Sequence, residues 1–218
     1  MISFNILYDI YLGIVFIDFL IGCIYYRSYK KKHIYAIVFL LFLILITELG
    51  GYFLAEKTIN NAWIFNAYVI AELLILSYVF YQVFNPKMRI IICTGVLVFS
   101  LFSLFNLLFL QRNDFNSYTF VFSGILLIFY SLHYLYEYTA QKTETESWLR
   151  GVMFWFCTGS VLFYTGNILI TGFIHEWIKI SQSLAVELYR INKVLNLLFY
   201  ILVGIGLYQE AKPNVTYK

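Results

Sequence analysis

Ile34-Tyr-Ala-Ile-Val-Phe-Leu-Leu-Phe-Leu-Ile-Leu-Ile-Thr-Glu-Leu-Gly-Gly-Tyr-Phe-Leu-Ala55 decides the fold. It is long enough as a helix to cross the hydrocarbon of a bilayer, which takes about 20 mostly apolar residues. Its apolar side chains show neither the two-residue alternation of a strand nor one polar helix face. Such a segment is greasy all round, as a lipid-embedded helix must be. Lys30-Lys-Lys-His33 precedes it and Glu56-Lys-Thr-Ile-Asn-Asn61 follows it, so both ends are marked by polar residues.

The same pattern recurs along the chain. Apolar stretches fall near 5–26, 34–55, 62–84, 89–110, 118–138, 150–172 and 185–208, with short polar clusters between them. Of the 218 residues 61% are hydrophobic and 12% charged, more apolar surface than a water-soluble globule hides. The expectation is an all-α, polytopic helix bundle of seven transmembrane helices in a single domain, with the lipid bilayer as its main partner. Pro86 is expected in a turn and Pro213 in the tail, outside the spans. The first apolar stretch has no basic n-region and no small-residue cleavage site, so it is expected to remain as a span.

Basic residues set the expected direction. Arg27, Lys30, Lys31, Lys32, Lys87, Arg89, Lys142, Arg150, Lys212 and Lys218 flank one set of span ends, whereas Lys57, Arg112 and Lys179 flank the other. Basic flanks stay in the cytoplasm, which puts the N-terminus outside and the C-terminus inside. Tyr25, Tyr26, Tyr35 and Trp148 then fall at the inner interface, and Trp63 and Trp177 at the outer. The net charge of +3 is scattered and implies no nucleic-acid partner. Dividing the spans as three, one and three aligns the halves as a parallel repeat, in which Thr47 and Thr165 occupy similar places.

Polar residues inside spans are costly and mark cavities or helix contacts. Glu48 lies in the second span beside Gly50-Gly51. Tyr68 and Glu72 are one turn apart in the third, with Asn66 and Ser77 on a second stripe. Ser160, Tyr164, Asn167 and Thr171 share one face of the sixth, and Asn192, Lys193, Asn196, Tyr189 and Tyr200 line the seventh. Most belong to the outer half. The candidate ligand-binding set is therefore Glu48, Tyr68, Glu72, Tyr164, Asn167, Asn192, Lys193 and Asn196, forming a polar pocket open to the outside with Glu72 facing Lys193. The alternative is that these groups satisfy one another and hold the helices together. Asp18 is expected to meet the basic inner loop or a neighbouring helix, and Ser100, Ser103 and Asn106 read as packing groups.

The isolated Cys23, Cys93 and Cys157 form neither a disulfide framework nor a zinc pattern, and His33, His133 and His175 are far apart. No cofactor or metal is implied. No nucleophile has a base at a suitable spacing, so an enzyme is not expected. Two functions compete. One is a ligand-sensing or regulatory subunit acting through a membrane or cytosolic signalling partner. The other is a small-solute or ion-coupled transporter with Glu72 as the coupling carboxylate. A retinal protein with Lys193 as the Schiff base is disfavoured by the position of that lysine near its helix end.

Three stretches carry a resemblance: Asn61-Ala-Trp-Ile-Phe-Asn-Ala-Tyr68 leading to Glu72-Leu, Tyr78 and Tyr81; Phe154-Trp155 followed by Tyr164-Thr-Gly-Asn167; and Asn192 with Asn196 and Tyr200. Together they resemble a set of small seven-helix membrane proteins of Bacteroidota without an assigned activity. The resemblance covers most of the chain through short motifs. It implies a bacterial cytoplasmic (inner) membrane location and importance for Glu72 and Asn167, and it supplies no mechanism.

Overall fold

Backbone amides and carbonyls find no partner in hydrocarbon, so an apolar stretch can enter it only with its hydrogen bonds closed within the segment, as a helix does. The computed structural model describes residues 4–29, 31–112, 114–140 and 151–211. Among them are eight α-helices and no strand. They are α1 (Phe4–Ile24), α2 (Lys32–Glu56), α3 (Ala62–Val83), α4 (Pro86–Phe105), α5 (Ser117–Ala140), α6 (Val152–Gly172), α7 (Ile174–Ile180) and α8 (Gln182–Ala211). All but α7 are long and apolar enough to cross a membrane, so the chain is a multi-pass membrane protein whose outer surfaces contact lipid. Trp148, Lys142, Arg150, Lys212 and Lys218 lie outside the described residues.

Two expectations about boundaries are corrected. Pro86 does not sit in a turn between spans but begins α4, where its missing N–H costs nothing. Asn85 caps that helix by accepting from the Met88 amide at 3.1 Å. The polar cluster around His175 to Lys179 is not a loop but the short helix α7, tied back to α6 by one hydrogen bond from the Trp177 indole to the Leu169 carbonyl at 3.2 Å.

The neighbour relations run round a ring: α1 on α2, α2 on α3, α3 on α5, α5 on α6, α6 on α8, and α8 back on α1. Helix α4 lies outside it, against α3 and α5. Small residues let the ring close tightly. A Cβ built on Gly206 would stand 3.1 Å from the Val152 backbone, and one on Gly204 would stand 2.1 Å from the Asp18 carboxylate.

The ends of the ring differ. At one end lie α7, the α2–α3 turn and the 106–116 connection. The α2–α3 turn closes through Thr58, whose φ of 57° is left-handed, with its amide on the Ala55 carbonyl at 2.9 Å. The opposite end carries Arg27, Lys31, Lys32, Lys87 and Arg89. There Glu210, from α8, pairs with Lys31 at 3.0 Å and accepts from the Val152 amide at 3.4 Å. The Tyr29 hydroxyl donates to the Leu207 carbonyl at 3.3 Å. Burial, reinforced by the Glu210 carboxylate, pushes that phenol up to about 12, which keeps it a donor. Between the ends, Tyr130, Phe80, Phe156 and Phe199 form a row of touching rings across the interior, with centroids 5.5–6.4 Å apart.

Candidate functional site

All eight residues of the expected site fall in the half of the ring nearer α7, and the structure gathers them into three adjoining groups. The first joins α1, α2 and α8. Lys193 is 3% exposed, and its ammonium lies 3.4 Å from Glu48 Oε1. The same carboxylate accepts from Tyr11 at 3.0 Å and from Tyr8 at 3.1 Å. Three ring faces surround the ammonium, with centroids at 4.6 Å (Tyr11), 4.9 Å (Tyr8) and 5.4 Å (Tyr189). A cation held by ring quadrupoles and a carboxylate has its charge met without water. Glu72 was the expected partner of Lys193. Glu48 takes that place, because α8 packs against α1 and thereby turns its lysine face toward the α1–α2 side of the ring.

The second group lies on α3, α6 and α8. Tyr68 donates to Glu72 Oε1 at 2.9 Å, one helical turn away. Tyr164 comes up to the same carboxylate from α6, with its fully buried hydroxyl beside Glu72. Tyr200 faces both Glu72 and Tyr68 and packs on Tyr11 at 5.7 Å, so it divides this group from the first. Glu72 is 5% exposed and makes no ion pair among the described residues.

The third group is a ladder of amides. Asn192 donates to the Asn167 side-chain oxygen, and Asn196 donates to the Asn192 carbonyl and side-chain oxygens at 2.9 Å each. Asn167 is completely buried and its Nδ2 donor has no acceptor. Ser160, on the same face of α6, is likewise buried with a free hydroxyl. Groups of this kind in an apolar interior are expensive unless something polar meets them.

Other polar positions sort differently. Asn66, on the second stripe of α3, lies apart from the site: it donates to the Asp114 carbonyl at 2.9 Å and accepts from the Asn116 amide at 2.8 Å. Asn106 donates to Gln111 at 3.1 Å and to Thr119 at 2.9 Å, closing the π-helical turn that ends the fourth span. Ser100 bonds only back to the Val96 carbonyl of its own helix, so it joins no neighbour. Asp18 is 3% exposed, lies against Gly204 of α8 rather than a basic loop, and leaves Oδ2 unpartnered. Sequence reasoning missed Tyr8 and Tyr11 as site residues. Their spacing of three on one helix face was the available signal.

A cavity of about 380 Å³ lies between α7 and α8, lined by Ile174, Ile178, Gln182, Ala185, Val186 and Tyr189, and Tyr189 is also a wall of the Lys193 cage. No group of three metal-ligating side chains occurs among the described residues. No family model, curated protein or solved structure matches this chain.

Proposed function

We propose that the chain is a bacterial inner-membrane sensor or regulatory subunit. It takes a small ligand into the polar groups of the outer half and acts through a signalling partner at the lysine-rich face. One observation carries this: the Glu48–Lys193, Glu72 and asparagine groups adjoin in one half of the ring, and the row Tyr130, Phe80, Phe156 and Phe199 packs apolar surface beneath them. A site closed on one side binds; it does not conduct. In this proposal the α7 end faces outward, in keeping with the basic flanks of the opposite end. The lateral order, with α4 outside two three-helix arcs, supports the 3+1+3 arrangement.

The test is purification from native membranes. A stoichiometric signalling protein that is lost when Lys31 and Lys32 are changed to Glu supports the proposal. A protein that stays alone and accumulates solute in liposomes overturns it. That second outcome belongs to the transporter reading with Glu72 as coupling carboxylate, which one observation favours: Asp18 supplies a buried carboxylate in the half nearer the lysine-rich end.

A further inference from the structure

The interior holds three carboxylates, Asp18, Glu48 and Glu72, and one buried ammonium among the described residues, Lys193. The first group shows how this protein accommodates an ammonium: a carboxylate, tyrosine hydroxyls on that carboxylate, and tyrosine faces around the charge. The second group repeats two of these components one helix further round, the carboxylate and the tyrosine hydroxyls directed at it. Glu72 takes the place of Glu48, and Tyr68, Tyr164 and Tyr200 take the places of the other tyrosines. What differs is that, among the described residues, no lysine or arginine pairs with Glu72.

We infer that the Glu72 compartment is a binding site for a small primary ammonium cation, the free counterpart of the Lys193 side-chain terminus. Two further observations point there. The Tyr164 hydroxyl is fully buried beside the carboxylate, and its oxygen can accept from an ammonium N–H there. Tyrosine hydroxyls meet the Glu72 oxygens but bring no positive charge, and a carboxylate in a lipid-embedded interior is costly unless a cation balances it. Tyr68, Tyr164 and Tyr200 crowd the carboxylate, which restricts the cation to the ammonium ion or a short alkylamine. This inference rests on the ligand-binding reading above and names its ligand class.

The experiment uses the purified full chain in detergent at fixed pH and ionic strength. Thermal unfolding is followed while sodium chloride is replaced by ammonium or methylammonium chloride. The expected result is a saturable rise in Tm of roughly 5 °C at large excess of the cation over its dissociation constant. Glu72→Gln should remove that dependence. It should also fold without ammonium, because it buries a neutral amide in place of a carboxylate. Tyr164→Phe should weaken the response severalfold and leave the fold intact. Equal effects from sodium and potassium, a rise that follows pH alone, or a response that survives Glu72→Gln would each overturn the inference. Because the measurement needs no partner, a missing ammonium response together with an intact signalling complex sinks this inference and spares the sensor proposal.

Discussion

Lys193→Met tests the central electrostatic claim. Methionine keeps most of the aliphatic stem, so packing among Tyr8, Tyr11 and Tyr189 changes little while the charge disappears. At 3.4 Å, and with an effective dielectric constant of about 20, attraction between the ammonium and Glu48 comes to roughly 5 kcal/mol. Removing one partner of a buried pair costs about 3–5 kcal/mol, chiefly because the other charge is orphaned. Glu48 keeps its bonds from Tyr8 and Tyr11, which puts the expected loss at the lower end, about 3 kcal/mol. Glu48→Gln combined with Lys193→Met should be more stable than Lys193→Met alone, with a coupling energy of about 2 kcal/mol. Equilibrium unfolding in mixed micelles, followed by tryptophan fluorescence, measures all four species. A Lys193→Met variant within 1 kcal/mol of wild type, or strictly additive single changes, would refute the pairing.

Other consequences follow from single contacts. Gly204→Leu forces a side chain into the Asp18 carboxylate and should destabilise the α1–α8 seam by about 3 kcal/mol or prevent folding; Gly204→Ala should cost less, and both are read by unfolding midpoints. Asn106→Ala leaves Gln111 and Thr119 without their shared donor. Faster amide exchange across the 106–119 connection is expected, at a cost of about 1–2 kcal/mol. Thr58→Gly relieves a β-branched residue at positive φ and should raise stability by up to about 1 kcal/mol in the same assay. Cysteine substituted for Trp177 should react with impermeant maleimide in intact cells, and cysteine substituted for Lys32 should not; the reverse pattern would invert the proposed orientation.

The seven long helices were legible because lipid exposes what sequence shows: a continuous apolar run must close its own hydrogen bonds. The expected stretch 62–84 became Ala62–Val83, and 34–55 became Lys32–Glu56. Helix α7 was not legible, since seven residues carry too little periodicity to separate a short helix from a polar loop. The burial of Glu72, Asn167, Lys193 and Asn196 was legible too, since a polar side chain in hydrocarbon is costly unless turned inward. Their pairing was not. Whether Lys193 meets Glu48 or Glu72 depends on which helices adjoin, and no spacing along the chain encodes that. Asn66 illustrates the same gap: its partners at 114 and 116 lie about fifty residues on.

Helix α8 runs for 30 residues without a proline. Asn192, Lys193 and Asn196 sit near its middle, while Gln209 and Glu210 hold Trp155, Val152 and Lys31 at its C-terminal end. Lys193 and Glu210 are therefore about 25 Å apart on one stiff rod. One continuous helix thus joins the tyrosine cage to the Glu210 clasp.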